Sequence, residues 1–458
     1  MKTLRMLLAA LFLATGAAAQ NPTAYFMEGS TFRTQFNPAF APLRGYFNIP
    51  AAGGIDVNMN SSLALDDVLY PRNGKLVTIF DRSVTADEAL RNIKDNNLLG
   101  LDVRTNILGF GKFTRNRKNF WAFDINLHAA AGINLPKSLF EFVKRGEEGV
   151  IRNFGATAST YLDAGFSYSF PLLGEKLYVG AKAKVLVGLA RAKVNFDYMN
   201  VTMHQDRWAV EAKGSIDANI PGAEIDYRTD ESQRPYFGID DIGLGSIKPA
   251  GYGFAVDLGA TYDVLPDLQV SLALTDLGFM SWSKTSSVRG YSTAQVEYTG
   301  ITLESGEVVS SPDFTFDELL RFRPDDSQTK ARMLHASLNA GAEYFVWDHR
   351  VGFGLLYRAR LDEYKALHSV TGSVNFSPVR WFTLTAAYTL AAGRGHSLGL
   401  ALNLCPGWIN FFVATDLATA RFTPQYIPVR QRSANVTFGL GFPLGKRGLR
   451  IRDRNRNI

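Results

Sequence analysis

The sequence predicts an all-β protein: a transmembrane antiparallel β-barrel of about 14 strands, an even number as bacterial barrels require. Three observations predict it. Apolar residues recur at every second position over stretches of ten residues or more, the chain opens with an export signal, and tight turns alternate with long loops along it.

The period is clearest in "EKLYVGAKAKVLVGLARAKVNF". Leu177, Val179, Ala181, Ala183, Val185, Val187 and Leu189 alternate with Tyr178, Gly180, Lys182, Lys184 and their neighbours. A period of two is the strand period, because successive side chains point to opposite faces. The pattern recurs at Trp121–Ala131, Leu162–Phe170, Tyr252–Tyr262, Val351–Ala359, Phe382–Leu390, Leu398–Leu404 and Val436–Phe442. Such lengths match a tilted strand crossing a bilayer, whereas strands of soluble proteins mostly stop after about five or six residues.

The export signal spans 1–19. Lys2 and Arg5 precede an apolar stretch from Met6 to Leu13, and Ala17-Ala18-Ala19 offers a cleavage site. The mature chain is expected to begin near Gln20, without a lipid anchor, since no cysteine follows the apolar stretch. After residue 20 there is no run of about 18 apolar residues, so no spanning helix is available. The single cysteine, Cys405, excludes an intramolecular disulfide and reads as a small residue beside a turn rather than a catalytic thiol. Loss of Lys2 and Arg5 with the signal lowers the formal charge from +6 to +4. Much of the rest sits in Lys446, Arg447, Arg450, Arg452, Arg454 and Arg456, read as a solvated basic tail. Anionic lipid or cell-wall polymer is its alternative contact, and nucleic acid is excluded as a partner of an exported chain.

Tight joints occur at Pro171–Glu175, Leu265–Asp267, Trp347–Arg350, Ser377–Arg380 and Cys405–Trp408, with Pro, Gly and Asp in turn roles. Long connections fall near 61–100, 132–158, 193–250, 283–331 and 418–430, with short ones near 362–365 and 392–394. Turns on one side and loops on the other place the turns in the periplasm. Strands are expected near 44–60, 101–113, 117–131, 159–171, 176–192, 251–264, 267–282, 332–347, 349–361, 366–377, 379–391, 395–405, 407–417 and 431–443. Trp208–Ile220 also alternates. Parity assigns it to an extracellular hairpin continuing the long strand, and counting it as spanning gives the alternative of about 16. Trp347, Trp381 and Trp408 lie at the turns, where an interfacial girdle belongs. Thr85 with Glu88 and Thr315 with Glu318 have capping-box spacing, and "PKSLFEFVKRG" ends at a capping Gly146, so the loops carry short helices. Their apolar faces are expected on the barrel mouth, or else as a hydrophobic ligand groove.

The segment "NPAFAP" at 37–42, ahead of a barrel with helical loops, resembles the FadL family of long-chain fatty-acid and hydrocarbon channels. With the closing strand "ANVTFGLGFPLGK", it is closer still to FadL-like barrels of Bacteroidota. The resemblance implies an outer-membrane location, assembly by the barrel-assembly machinery, and an N-terminal lumenal hatch at 20–43 containing Asn37 and Pro38. An ordinary Asn-Pro turn is the other reading of that pair. Residues 44–445 would form the barrel and 446–458 a basic periplasmic tail. The departure from the pattern is that Phe442 does not end the chain.

No motif carries catalysis or a cofactor. None of the six histidines has metal-ligand spacing, and "GLGFPLGKRG" lacks phosphate-loop spacing. His396 and Ser397 are adjacent and so point to opposite faces. The candidate functional residues line the inner wall: Asp124, Asn126, His128, Lys182, Lys184, Asp257, Glu343, Arg358 and Arg360. On the lipid face Lys or Arg would cost about 2–4 kcal/mol near the midplane. Facing the lumen, they are expected to pair across it. The expected function is passage of a hydrophobic or amphipathic small molecule, with outer-membrane lipid around the barrel. The alternative is an accessory barrel partnering an envelope protein of a secretion or surface-attachment machine.

Overall fold

The computed structural model describes residues 21–450, apart from 204–206, 231, 245–247, 300–301, 305–306, 311–319, 326–330, 362–365, 393–394 and 418–432. The expected signal peptide at 1–19, the end of the basic tail at 451–458 and the helix expected from Thr315 lie outside the described residues.

Fourteen antiparallel strands close a barrel. They are β1 (Gly45–Asn48 and Ile55–Ser61), β2 (Asn96–Phe113), β3 (Phe120–Pro136), β4 (Gly149–Leu172), β5 (Leu177–Met203), β6 (Gly251–Leu265) and β7 (Leu268–Trp282). The ring continues through β8 (Ser337–Val346), β9 (Val351–Leu361), β10 (Ala366–Val379), β11 (Phe382–Ala391), β12 (Gly395–Leu404), β13 (Asn410–Leu417) and β14 (Ser433–Leu444). β1 pairs with both β14 and β2, with Ile55 opposite Phe438 on one side and Thr105 on the other. Closure removes both sheet edges, which lipid could not hydrogen-bond.

Alternation sorts the two faces. Ala181, Ala183 and Val185 of β5 are exposed, while Gly180, Lys182, Lys184 and Leu186 are buried. The exposed face of the ring carries Phe166, Leu258, Leu272, Leu355, Val374 and Leu400. Among the described residues no helix is long and apolar enough to cross a membrane, and the strands supply the crossing band. Trp347, Trp381 and Trp408 are exposed together at the short-turn end, as an interfacial girdle requires.

The first strand is not continuous as expected. It breaks at 49–54, where Pro50 has no N–H to donate and Ala51 takes a positive φ of 60°. A turn closes there from Ala52 N to Ile49 O, and Leu440 N donates to Ala52 O, which keeps the wall joined to β14. The long strand β5 outruns its partner: β6 pairs with it only from Leu177 to Gly188. Beyond that point Arg207–Asn219 pairs with the end of β5 and with Ser287–Thr299, forming a sheet outside the ring. The spanning count therefore stays at 14.

The loop helices depart from expectation in where they dock. In α1 (Ala86–Leu90) the Thr85 hydroxyl accepts from Glu88 N, but the Glu88 carboxylate pairs with Arg72 instead of reaching back to the cap. In α2 (Lys137–Arg145) Gly146 adopts φ 66° and caps Phe142 O. Phe140 of α2 packs with Leu63, Ile79, Val84 and Leu90, and this cluster rests on Leu99 and Leu135. Leu135 continues the outward row of β3, and Leu99 belongs to β2 beside it. The helices thus cover the outer rim of the wall rather than its mouth, because that is where β2 and β3 leave apolar residues above the band.

Candidate functional site: a plugged lumen

Residues 21–43 fold into the barrel. Asn21 to Met27 are buried, in a single 3-10 turn whose Asn21 side chain accepts from Ala24 N. Tyr25 meets Phe26, Phe36 and Phe40 edge-on, at centroid distances of 5.1, 5.7 and 5.4 Å. Phe32 leans on Phe412 of β13 at 5.6 Å. Leu356, Ala401, Phe412 and Ala414 complete this core from the inward face of β9, β12 and β13. Burial of each large side chain is worth about 1.5–3 kcal/mol, so the apolar contacts carry most of the attachment.

Polar anchors fix its register. Thr23 donates its hydroxyl to Asp416 Oδ1 at 2.5 Å. The Tyr25 hydroxyl bonds that of Ser271, and Arg33 forms an ion pair with Glu343 while its Nε donates to Tyr25 O at 2.7 Å. Asn339 Nδ2 donates to Phe36 O at 3.0 Å. Asn37 Nδ2 donates to Ala260 O at 3.1 Å, and its Oδ1 accepts from Ala39 N at 2.9 Å. Asn37 and Pro38 sit over Gly180 and Gly259, which are direct partners across β5 and β6. A Cβ on Gly259 would overlap Asn37 Oδ1 and lie 2.8 Å from Pro38 Cδ, and one on Gly180 would lie 2.5 Å from Ala39 N. The wall is therefore notched where the Asn-Pro pair rests.

A second layer of side chains forms an ionic network on the inner wall. Lys182 Nζ lies 2.6 and 2.8 Å from the Asp124 oxygens. Lys184 Nζ lies 2.7 Å from Asp257 and 2.6 Å from Asp276. His128 Nε2 is 2.5 Å from Asp163 Oδ2, and its ring stacks on Tyr161 at 4.6 Å. Asn126 bridges Asp124 at 2.6 Å and Asp163 at 3.0 Å. Arg358 is buried beside Ser337, and Arg360 reaches His335 at 3.2 Å. Six of the nine wall residues expected from the sequence thus fall into two charged sets, one around Asp124 and Asp163 and one around Lys184, while Glu343 serves the plug and Arg358 and Arg360 lie on β9.

Sequence reasoning missed Arg33, Asp163, Asp276 and Asp416. Asp163 was visible, alternating with Leu162 and Ala164. Asp276 was hidden by a bulge: Val256 pairs with Leu277 but Leu258 with Leu274, so Thr275 and Asp276 share one place. Asp276 takes φ 60° there, and its N–H donates to Asp257 Oδ1 at 2.7 Å.

Replacing Arg33 by Met is expected to leave the buried Glu343 carboxylate without its guanidinium counter-charge. Breaking a buried pair from one side costs about 3–5 kcal/mol, and the plug can relieve it by moving. Urea unfolding followed by tryptophan fluorescence should show the loss, and Arg33→Met/Glu343→Gln should restore most of it.

His396 is exposed and Ser397 buried, on opposite faces of the wall. Burial pushes the Cys405 thiol up, the reverse of what a nucleophile needs. Among the described residues no group of three or more His, Cys, Asp or Glu could hold a metal.

A family model described as "Family of unknown function (DUF5723)" matches residues 38–416. No curated protein matches in sequence. Among solved structures the chain is similar to a TodX deltaS2S3 mutant monoaromatic hydrocarbon channel, at TM-score 0.45 and 10% identity over 96% of this chain and 98% of that one. The Ralstonia pickettii toluene transporter TbuX gives TM-score 0.41 and 10% identity over 94% and 97%. The CymD monoaromatic hydrocarbon channel gives 0.41 and 10% over 94% and 99%.

Proposed function

From a chain that belongs to the DUF5723 family, we propose an outer-membrane barrel that admits a hydrophobic or amphipathic small molecule through its lumen. One observation carries this reading. Barrel lumens of this kind are polar, yet here Leu356, Ala401, Phe412 and Ala414 face inward and seat an aromatic segment. A segment displaced from that seat leaves an apolar patch behind it, edged by the Asp416, Ser271, Asn339 and Glu343 groups that anchored it. Such a patch takes up apolar solute.

In this reading a signal at 1–19 is removed, and 20–43 is the hatch that holds Asn37 and Pro38. Residues 44–445 form the wall, placed in lipid by the barrel-assembly machinery, and 446–458 follow it at the periplasmic end. The ionic network above is structural pairing that keeps the wall rigid around a moving segment. The test is uptake by proteoliposomes of the full chain. A fluorescent long-chain fatty acid or a monoaromatic should enter several-fold faster than into protein-free vesicles, and arabinose should not. Equal rates for apolar solutes in both vesicles would remove the proposal.

A second reading rests on the sheet outside the ring. Ile216, Ala218, Phe237, Val288 and Phe322 give it a core of its own, which suits an accessory barrel bound to another envelope protein. Stable co-purification of one envelope protein without apolar uptake would favour it.

A further inference from the structure

Over residues 445–450 the segment after β14 stays against the barrel. Gly445 O accepts from Arg44 Nε at 3.0 Å and Nη2 at 2.6 Å, at the short-turn end. Gly448 N then donates to Leu43 O at 3.1 Å, and Leu449 N to Arg117 O at 2.7 Å. The fit is close: a Cβ on Gly448 would stand 2.6 Å from the Phe113 ring. Arg450 ends this path inside the lumen and is 9% exposed. Its Nη1 donates to Ala39 O at 2.6 Å, and its Nη2 to Ser169 Oγ at 2.7 Å. The guanidinium also covers the Tyr178 ring at 4.4 Å.

One side chain therefore joins three parts of the molecule. Ala39 belongs to the plug, two residues after the Asn37 that rests in the Gly259 notch. Ser169 and Tyr178 belong to β4 and β5. A planar guanidinium with a fixed fork of donors suits such a bridge, and lysine lacks both the fork and the flat face that covers a ring. The expected solvated tail is thus, over its described part, a folded element beneath the plug.

We propose that Gly445–Arg450 is a latch that holds the plug in its seat from the short-turn end, with Arg450 as the positioning residue. It is an autoinhibitory contact, and its release lets 21–43 leave the wall while the barrel stays closed. The inference rests on the geometry of plug and tail and not on what crosses the barrel.

Labelling of the plug tests it in the full-length protein in detergent. In a Cys405→Ser background, Ala39→Cys places a thiol on the buried residue that Arg450 holds. Reaction with a charged maleimide should be slow in that parent. It should rise about tenfold or more in Arg450→Ala and equally in a chain ended at Gly445, while Arg450→Lys falls between. Resistance of the unheated barrel to SDS, read as gel mobility, should be unchanged in each. Unchanged thiol protection in Arg450→Ala and in the shortened chain would overturn the proposal. If either fails to give a folded barrel, Ser169→Ala, which removes one arm of the bridge, must raise labelling, and no rise there would equally overturn it. The transport reading survives failure of the latch, because uptake is measured separately.

Discussion

Lys184→Met is expected to destabilise the barrel more than any other single change to its wall. Lys184 Nζ is held at 2.7 Å by Asp257 and at 2.6 Å by Asp276, and its side chain is 5% exposed. Removing the ammonium leaves two carboxylates facing each other, Asp257 at 4% side-chain exposure and Asp276 at 29%. Breaking a buried pair from one side costs about 3–5 kcal/mol, and here like-charge repulsion adds to the desolvation. Asp276 cannot easily turn away, because the bulge fixes its backbone at φ 60° and its N–H is engaged by Asp257. The midpoint of urea unfolding in detergent or lipid should fall accordingly. The triple variant Lys184→Met/Asp257→Asn/Asp276→Asn should recover most of it, since amides need no counter-charge and a methionine fills the lysine's volume. A single variant as stable as the parent would show that the three groups do not form a coupled unit. Lys182→Met should cost less. Asp124 then loses its ammonium but keeps the Asn126 amide at 2.6 Å, and only one carboxylate is left without its counter-charge.

What the sequence made legible follows from what a strand repeats. Period-two alternation assigns Leu177–Leu189 to one face and Lys182 and Lys184 to the other, and parity with turn length gives 14 strands rather than 16. These are local properties of the chain, and a bilayer enforces them strongly. The partners across the lumen are not local. Arg33 and Glu343 are 310 residues apart, and nothing in "STFRTQF" distinguishes Arg33 from an ordinary surface arginine. The tail shows six basic residues with no signal that Arg450 turns inward. Asp276 was lost for a different reason. A bulge shifts the alternation by one, so a residue counted by parity is assigned to the wrong face. The sequence does carry one clue to the plug: Leu356 is a large apolar residue on the inward row between Gly354 and Arg358. An inward leucine among glycines and arginines implies something apolar opposite it, and the plug is what stands there.

Adding one methyl group to each glycine of the notch, Gly180→Ala/Gly259→Ala, is expected to displace the plug without unfolding the wall. In a strand, alanine is tolerated at least as well as glycine, so the ring itself should keep or gain a few tenths of a kcal/mol. The plug has no such freedom. The Cβ at Gly180 meets backbone atoms of Pro38 and Ala39, which cannot rotate away, and the Cβ at Gly259 meets the Asn37 carbonyl oxygen. Overpacking a well-filled interior costs about 1–3 kcal/mol at each site. Two adjacent sites therefore approach what the Asn37 and Arg33 anchors contribute. The plug should shift as a unit, because the aromatic rings from Tyr25 to Phe40 pack on one another as well as on the wall. A thiol at Ala39 should then label at least tenfold faster, and conductance across a planar bilayer should become measurable. The two glycines also separate from each other. Asn37→Ala should relieve Gly259→Ala in part, since the nearest atom belongs to the Asn37 side chain while Pro38 Cδ remains at 2.8 Å. It should do little for Gly180→Ala, whose clash is with the backbone. Protection of Ala39→Cys in the double variant equal to that in the parent would mean that the wall, not the plug, gives way.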